Sequence, residues 1–160
     1  TVELYMKQKV FSLNDKFTIK DGEGNDKYKV EGEIFTLGKK LHVYNMEERE
    51  IAFIEQKLMT FMPKFFVYVN GEKIIEIVKK FTFLKPKYEI IGKDWITTGD
   101  IWGHEYTISD ANSGFQIANI KKEWMTWGDS YLIDIADDQD ETAVMAVILG
   151  IDAAVASQNN

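Results

Sequence analysis

Residues 139 to 156 of this chain, Q-D-E-T-A-V-M-A-V-I-L-G-I-D-A-A-V-A, decide what the rest of it can fold into. At 100° per residue, Ala143 to Leu149 together with Ile151, Ala153, Ala154 and Val155 cover every side of a helical wheel, so no face is left for water. Such a helix has to be surrounded. Its unbroken apolar run, Ala143 to Ile151, is far short of the roughly 20 residues a bilayer demands, and Asp152 would fall near mid-span. The spacing therefore predicts a buried core helix over 139–156 and no transmembrane segment.

Everything before that helix reads as strands. Lys16-Phe17-Thr18-Ile19-Lys20 and Lys27-Tyr28-Lys29-Val30-Glu31-Gly32-Glu33 alternate polar and apolar residues with period two, the pattern of a strand with one wet and one buried face. Turn residues punctuate such runs at Asp21 to Asn25, Glu47-Glu48-Arg49, Asn70-Gly71, Gly92-Lys93-Asp94 and Asp110 to Gly114, of which Asn-Gly is the sharpest hairpin signal. A degenerate unit recurs: I-F-T-L-G-K-K-L from Ile34, L-M-T-F-M-P-K-F from Leu58, F-T-F-L-K-P-K-Y from Phe81, W-M-T-W-G-D-S-Y from Trp124 and, more faintly, G-D-I-W-G-H-E-Y from Gly99. Each copy is a strand end, a tight turn and the opening of the next strand. Twelve strands result, at 5–11, 16–20, 27–34, 40–45, 51–58, 65–69, 73–81, 87–91, 95–99, 104–109, 116–124 and 130–135.

A meander of twelve strands with short connections either splits into two sheets or closes, and closure removes the exposed edges. About eight strands make an interior that side chains fill, whereas eleven or twelve leave room for a rod. The helix with no wet face is that rod. The fold class expected is thus mainly β, a closed twelve-stranded antiparallel barrel over residues 5–135 enclosing a hydrophobic C-terminal helix. If the helix fills the lumen, no interior cavity remains, and any function falls to the rims or the outer wall. Asp138-x-x-Glu141 fits a capping-box-like helix start.

Composition narrows the function classes. The 160 residues suit one domain, 1–160, and 45% hydrophobic content is ample for its core. A net charge of -7 argues against a nucleic-acid partner, whose phosphates are neutralised by a surplus of Lys and Arg. With no cysteine, thiolate metal sites, disulfides and Cys nucleophiles are excluded. Thr1 to Phe11 alternates and carries Lys7 and Lys9, unlike a signal peptide. The expectation is a cytoplasmic, monomeric protein that at most associates peripherally with a membrane.

V-F-S-L-N-D-K-F-T-I at Val10 to Ile19, E-G-E-I-F-T-L-G-K-K-L at Glu31 to Leu41, K-K-F-T-F-L-K-P-K-Y-E-I at Lys79 to Ile90, W-G-H-E-Y at Trp102 to Tyr106 and K-E-W-M-T-W-G-D-S-Y-L-I-D-I at Lys122 to Ile135 together resemble the LURP-one-related family. That family is similar to the tubby C-terminal domain and the phospholipid scramblases. The resemblance implies the tubby C-terminal-like barrel with a central helix, and a role near phosphoinositides or membranes. It supplies no catalytic residues, and no tubby lipid-binding motif matches residue by residue.

In an antiparallel meander alternate turns lie at opposite ends. The end holding the repeated turns collects Lys16, Lys39, Lys40, Lys64, Lys85 and Lys87, diluted by Asp15, Asp100, Glu105 and Asp129 and flanked by Phe35, Phe61, Met62, Phe83, Leu84 and Trp127; the candidate ligand-binding set is Lys39, Lys40, Lys64, Lys85 and Lys87. The other end collects Asp21, Glu23, Asp26, Glu47, Glu48, Glu50, Glu72, Asp94, Asp110 and the acidic helix start. A basic rim with apolar turn tips is the composition of a surface for an anionic phospholipid headgroup. The competing reading is a protein-interaction or structural module. No nucleotide, hydrolase or calcium-loop motif is present, and neither His42 nor His104 has a carboxylate or thiol at ligand spacing in the sequence. No catalytic residue, metal site or cofactor is expected. Trp95, Trp102, Trp124 and Trp127 are read as barrel packing.

Overall fold

A computed structural model of the chain describes residues 1–7, 16–33, 37–62, 64–80, 82, 87–126 and 128–157. Twelve strands run in order: β1 (Val2–Lys7), β2 (Lys16–Asp21), β3 (Asp26–Gly32), β4 (Lys40–Asn45), β5 (Glu50–Lys57), β6 (Lys64–Val69), β7 (Glu72–Lys80), β8 (Lys87–Ile91), β9 (Trp95–Asp100), β10 (Glu105–Asp110), β11 (Gln116–Met125) and β12 (Gly128–Ile135). The helix α1 (Glu141–Ala156) follows. All twelve strands form one antiparallel sheet in the order β8-β7-β6-β5-β4-β3-β2-β1-β12-β11-β10-β9. Its long-range closure is the β1–β12 ladder, which pairs Val2 with Ile135 through Lys7 with Ser130.

The alternation read in the sequence is the inside and outside of this wall. In β4, Leu41 and Val43 are buried; in β6, Phe65, Val67 and Val69; in β8, Tyr88 and Ile90. Asn70 (φ 51) and Gly71 (φ 81) both take the left-handed conformation that a two-residue hairpin matching the sheet twist requires. The expected strand 5–11 begins at Val2 instead, and its residues 8–11 lie outside the described ones.

Every residue from Ala143 to Val155 is buried, so the helix has the fully surrounded environment its composition demands. It is not centred in the lumen. A Cβ on Gly150 would lie 2.6 Å from Ile77 Cδ1 and 3.0 Å from Val67 Cγ2, with Ile54 Cγ2 at 4.0 Å. The missing side chain lets the helix backbone press against β5, β6 and β7. The helix cap also differs from expectation: Asp140, not Asp138, accepts the Ala143 N–H (3.1 Å), and Asp138 (φ 65) forms the preceding turn. The reason is reach, since an Ncap carboxylate serves the N–H three residues on. Glu141 turns away to accept from Tyr28 Oη and Lys27 Nζ, tying the helix start to β3.

The barrel is nearly closed. Among the described residues no ladder joins β8 to β9, although they are consecutive strands. They leave the Gly92-Lys93-Asp94 turn and part company, leaving a seam.

Candidate functional site

The turns joining β3 to β4 and β5 to β6 lie side by side, because β4 and β5 are ladder partners. Gly38 (φ +85) approaches the second turn so closely that a Cβ there would meet the Gln56 carbonyl oxygen at 3.2 Å and Leu58 Cγ at 3.3 Å. The Lys39 N–H donates to Gln56 Oε1 (3.0 Å), and the Gln56 N–H donates to the Lys39 carbonyl (2.8 Å). Two turns thus become one ledge, and its apolar side chains face water. Leu37 is 89% exposed and Phe61 98%, Met59 is fully exposed, and Leu58 is about half exposed. Met59 (φ 63) is held in a conformation unfavourable for a side chain with a Cβ.

Of the lysines expected at this end, Lys39 immediately precedes β4, Lys40 opens it and Lys64 opens β6, so the fold places these three at one end. Lys87 stands apart at the start of β8, and Lys85 lies outside the described residues. Lys39 is buried along its length, which pushes its ammonium below the ordinary lysine value. Lys40 stands opposite Glu55 in register, but that carboxylate pairs with Lys57 (3.1 Å). Lys64 lies 3.9 Å from Glu76. Lys39, Lys40 and Lys87 are left with no carboxylate at ion-pairing distance among the described residues. Of the flanking aromatics named from the sequence, Phe61 is fully exposed and Met62 half-buried, while Phe35, Phe83, Leu84 and Trp127 lie outside the described residues. Leu37, Leu58 and Met59 were not anticipated, although Leu37 occupies the repeat position of Phe61 and Leu84, and Met59 that of Phe35. Trp124, expected to pack in the barrel, is 73% exposed at this end instead.

Both histidines acquire the carboxylates that sequence spacing does not show. His42 Nε2 lies 2.9 Å from Glu33 and Nδ1 2.7 Å from Glu50, contacts made across strands β3, β4 and β5. Burial pulls its pKa down, but the two carboxylates outweigh burial and the net shift is upward. His104 (φ 59) turns inward from the β9–β10 connection to Asp152 on the helix, Nδ1 to Oδ1 at 3.3 Å, and stacks on Tyr131 at 4.5 Å. Tyr106 Oη donates to the same Oδ1 (3.4 Å), and Asp152 Oδ2 has no partner. Asp152 is 1% exposed. Its hydrogen bond raises the His104 pKa, while burial raises that of Asp152 itself. The pair therefore holds a proton to higher pH than a free imidazole. Asp152 is buried and His104 only partly exposed, and the pair is read as a polar tie between barrel and helix. Among the described residues no three His, Asp or Glu side chains gather to hold a metal ion.

The seam between β8 and β9 is a cleft of about 910 Å³. Its walls include Tyr88 and Ile90 from β8, Trp95, Thr97 and Gly99 from β9, and Trp102 from the following turn. This corrects the expectation that a lumen filled by a helix leaves no cavity. Gly150 draws the helix toward β5–β7, and β9 carries Thr97 and Gly99 where other strands place Ile, Val or an aromatic. Thr97 and Gly99 stand opposite Ile108 and Tyr106 of β10, both buried, and so share their inward face.

Three comparisons bear on this architecture. A family profile described as LURP-one-related matches residues 2–152. The uncharacterized protein YxjI of Bacillus subtilis (strain 168) is 37% identical over 151 residues, covering 94% of this chain and 92% of that protein. A solved structure of an Arabidopsis thaliana protein superimposes with a TM-score of 0.66 at 14% identity, over 97% of this chain and 91% of the other; at that identity the likeness speaks for the fold. No helix among the described residues is long and apolar enough to cross a membrane.

Proposed function

This chain belongs to the LURP-one-related family, and from that premise we propose that it is a non-enzymatic barrel whose basic end binds peripherally to anionic phospholipid surfaces such as those bearing phosphoinositides. One observation carries the reading: the ledge at the β3–β4 and β5–β6 turns exposes Leu37, Met59 and Phe61 beside Lys40, whose ammonium group no carboxylate neutralises among the described residues. Large apolar side chains gathered at one exposed tip mark an interaction surface. Buried in a headgroup layer, each contributes up to about 1.5–3 kcal/mol, and each adjacent lysine about 1 kcal/mol. These terms offset the repulsion of a net charge of -7, most of which sits at the opposite end of the barrel. Contact through this end would turn the acidic end away from the membrane.

Sedimentation with vesicles of phosphatidylcholine containing a phosphoinositide tests it. The protein is expected to pellet with these vesicles at low salt, to be released as salt rises, and to ignore pure phosphatidylcholine. Lys40→Glu with Lys64→Glu, and separately Phe61→Ser with Leu37→Ser, should each abolish pelleting with the circular dichroism spectrum retained. Absence of pelleting at low salt, or pelleting untouched by both double variants, would sink the reading.

A further inference from the structure

We propose that the seam between β8 and β9 is a binding slot for a single-chain fatty carboxylate, its chain lying along the splayed strands and its acid group at the wide mouth. The slot stands independently of the rim reading; it shares no residue with the ledge.

Its shape comes from backbone and side-chain choices already described. The bare Cα of Gly150 seats the helix against β5, β6 and β7, on the β8 side of the seam, where Tyr88 Oη donates to the Ala154 carbonyl (3.2 Å), so the β9 side is the one left uncovered. Along β9 the inward positions are Trp95, Thr97 and Gly99, so the wall recedes from the Gly92–Asp94 turn toward the basic end. Strands of five and six residues bound an elongated space about 17–20 Å long. One acyl chain spans half of a hydrocarbon core of about 30 Å, roughly 15 Å, and fits that length. The cavity volume lies within the range of small-molecule sites, about 300–1,000 Å³. Tyr88, Ile90, Trp95, Ile101 and Trp102 supply apolar walls. Gly99 (φ +106) breaks the straight edge that an added peptide strand would need.

Charge at the mouth selects the headgroup. Lys80 and Lys87 are paired directly across β7 and β8, an arrangement of like charges that destabilises a sheet unless an anion joins it. Glu89 reaches Lys80 (3.2 Å), and Lys87 has no carboxylate among the described residues. Trp102 Nε1 is buried with no acceptor, and a buried unpaired donor is costly until one arrives. Asp100, the acid at the same mouth, is engaged by the Gly103 N–H (2.9 Å). A carboxylate would neutralise the Lys87 ammonium, which neither an alcohol nor a cation can do.

Titration of the full chain with dodecanoate below its micelle concentration, followed by tryptophan emission, tests the slot. Saturable binding is expected, with dodecanol and dodecyltrimethylammonium each at least about tenfold weaker. Thr97→Phe, which fills the receding wall, should abolish binding with the circular dichroism spectrum retained. Lys87→Glu, on an exposed residue, should weaken binding at least about tenfold even if Thr97→Phe fails to fold. Lys40→Glu with Lys64→Glu should leave dodecanoate affinity unchanged, which separates this site from the ledge. Failure of dodecanoate to saturate, equal affinity for dodecanol, or wild-type affinity in Lys87→Glu would overturn the assignment, even if vesicles bind.

Discussion

Asp152 is the residue that the pattern of the chain least prepares for. It interrupts an otherwise apolar helix, it is buried, and it is half satisfied, by the His104 ring and the Tyr106 hydroxyl on Oδ1 alone. A lone buried carboxylate would be expensive, and the histidine opposite limits that expense. His104 is raised chiefly by its hydrogen bond to Asp152, and Asp152 chiefly by burial. Both folded-state values stand above their unfolded ones, so both shifts have the same sign. The stability they add is fully present below the unfolded pKa and is lost as pH rises through the folded one. For His104 that window opens above about 6.5. Urea midpoints should therefore fall between neutral and mildly alkaline pH, and Asp152→Asn should flatten this fall, leaving the contribution of groups such as His42 between Glu33 and Glu50. Identical pH profiles for the two proteins would refute the tie. None of this was legible in the sequence, because residues 104 and 152 meet only after the barrel has wrapped around the helix. The basic residues were legible as a set, yet which of them lacks a carboxylate depends on cross-strand register.

At the scale of elements the sequence was most readable where period and punctuation agree. β4 and β8 fall at the residues expected, since each is bounded by strong turns and alternates cleanly. The helix start was misplaced by two residues because four acids, Asp137, Asp138, Asp140 and Glu141, all offer plausible carboxylates, and only backbone geometry chooses among them. That choice is measurable. Asp140→Ala should lower stability by about 1 kcal/mol, within the 0.5–2 kcal/mol typical of Ncap loss. Asp138→Ala should not reproduce this, and equal losses on chemical denaturation would return the cap to Asp138. β9 is the element whose sequence hid its role. W-I-T-T-G-D alternates like a strand, but its inward positions shrink from Trp95 to Thr97 to Gly99, and the significance of that taper emerges only beside a helix seated on β5, β6 and β7.

For the whole molecule, the count of twelve strands and one surrounded helix was written in the repeats, while the missing ladder between β8 and β9 was not. Closure was expected because it removes edges; the wall instead stops one ladder short, and the cleft lies there. The helix supplies Val144, Met145, Val147, Ile148, Leu149 and Ile151, all fully buried, to the common core. A chain ending at Asp138 should accordingly lose its cooperative thermal transition and become insoluble; a sharp transition in that truncated protein would refute a helix-filled barrel. The order of these parts along the chain also sets a schedule for biosynthesis. All twelve strands, including the β1–β12 pairing that draws Val2 to Ile135, are made before the first residue of the helix. At 5–20 residues per second, residues 136 to 156 take on the order of 1–4 s more. Throughout that interval a β-rich chain of high contact order must keep its apolar faces out of reach of its neighbours, and the helix, made after every strand, is the segment that ends its exposure.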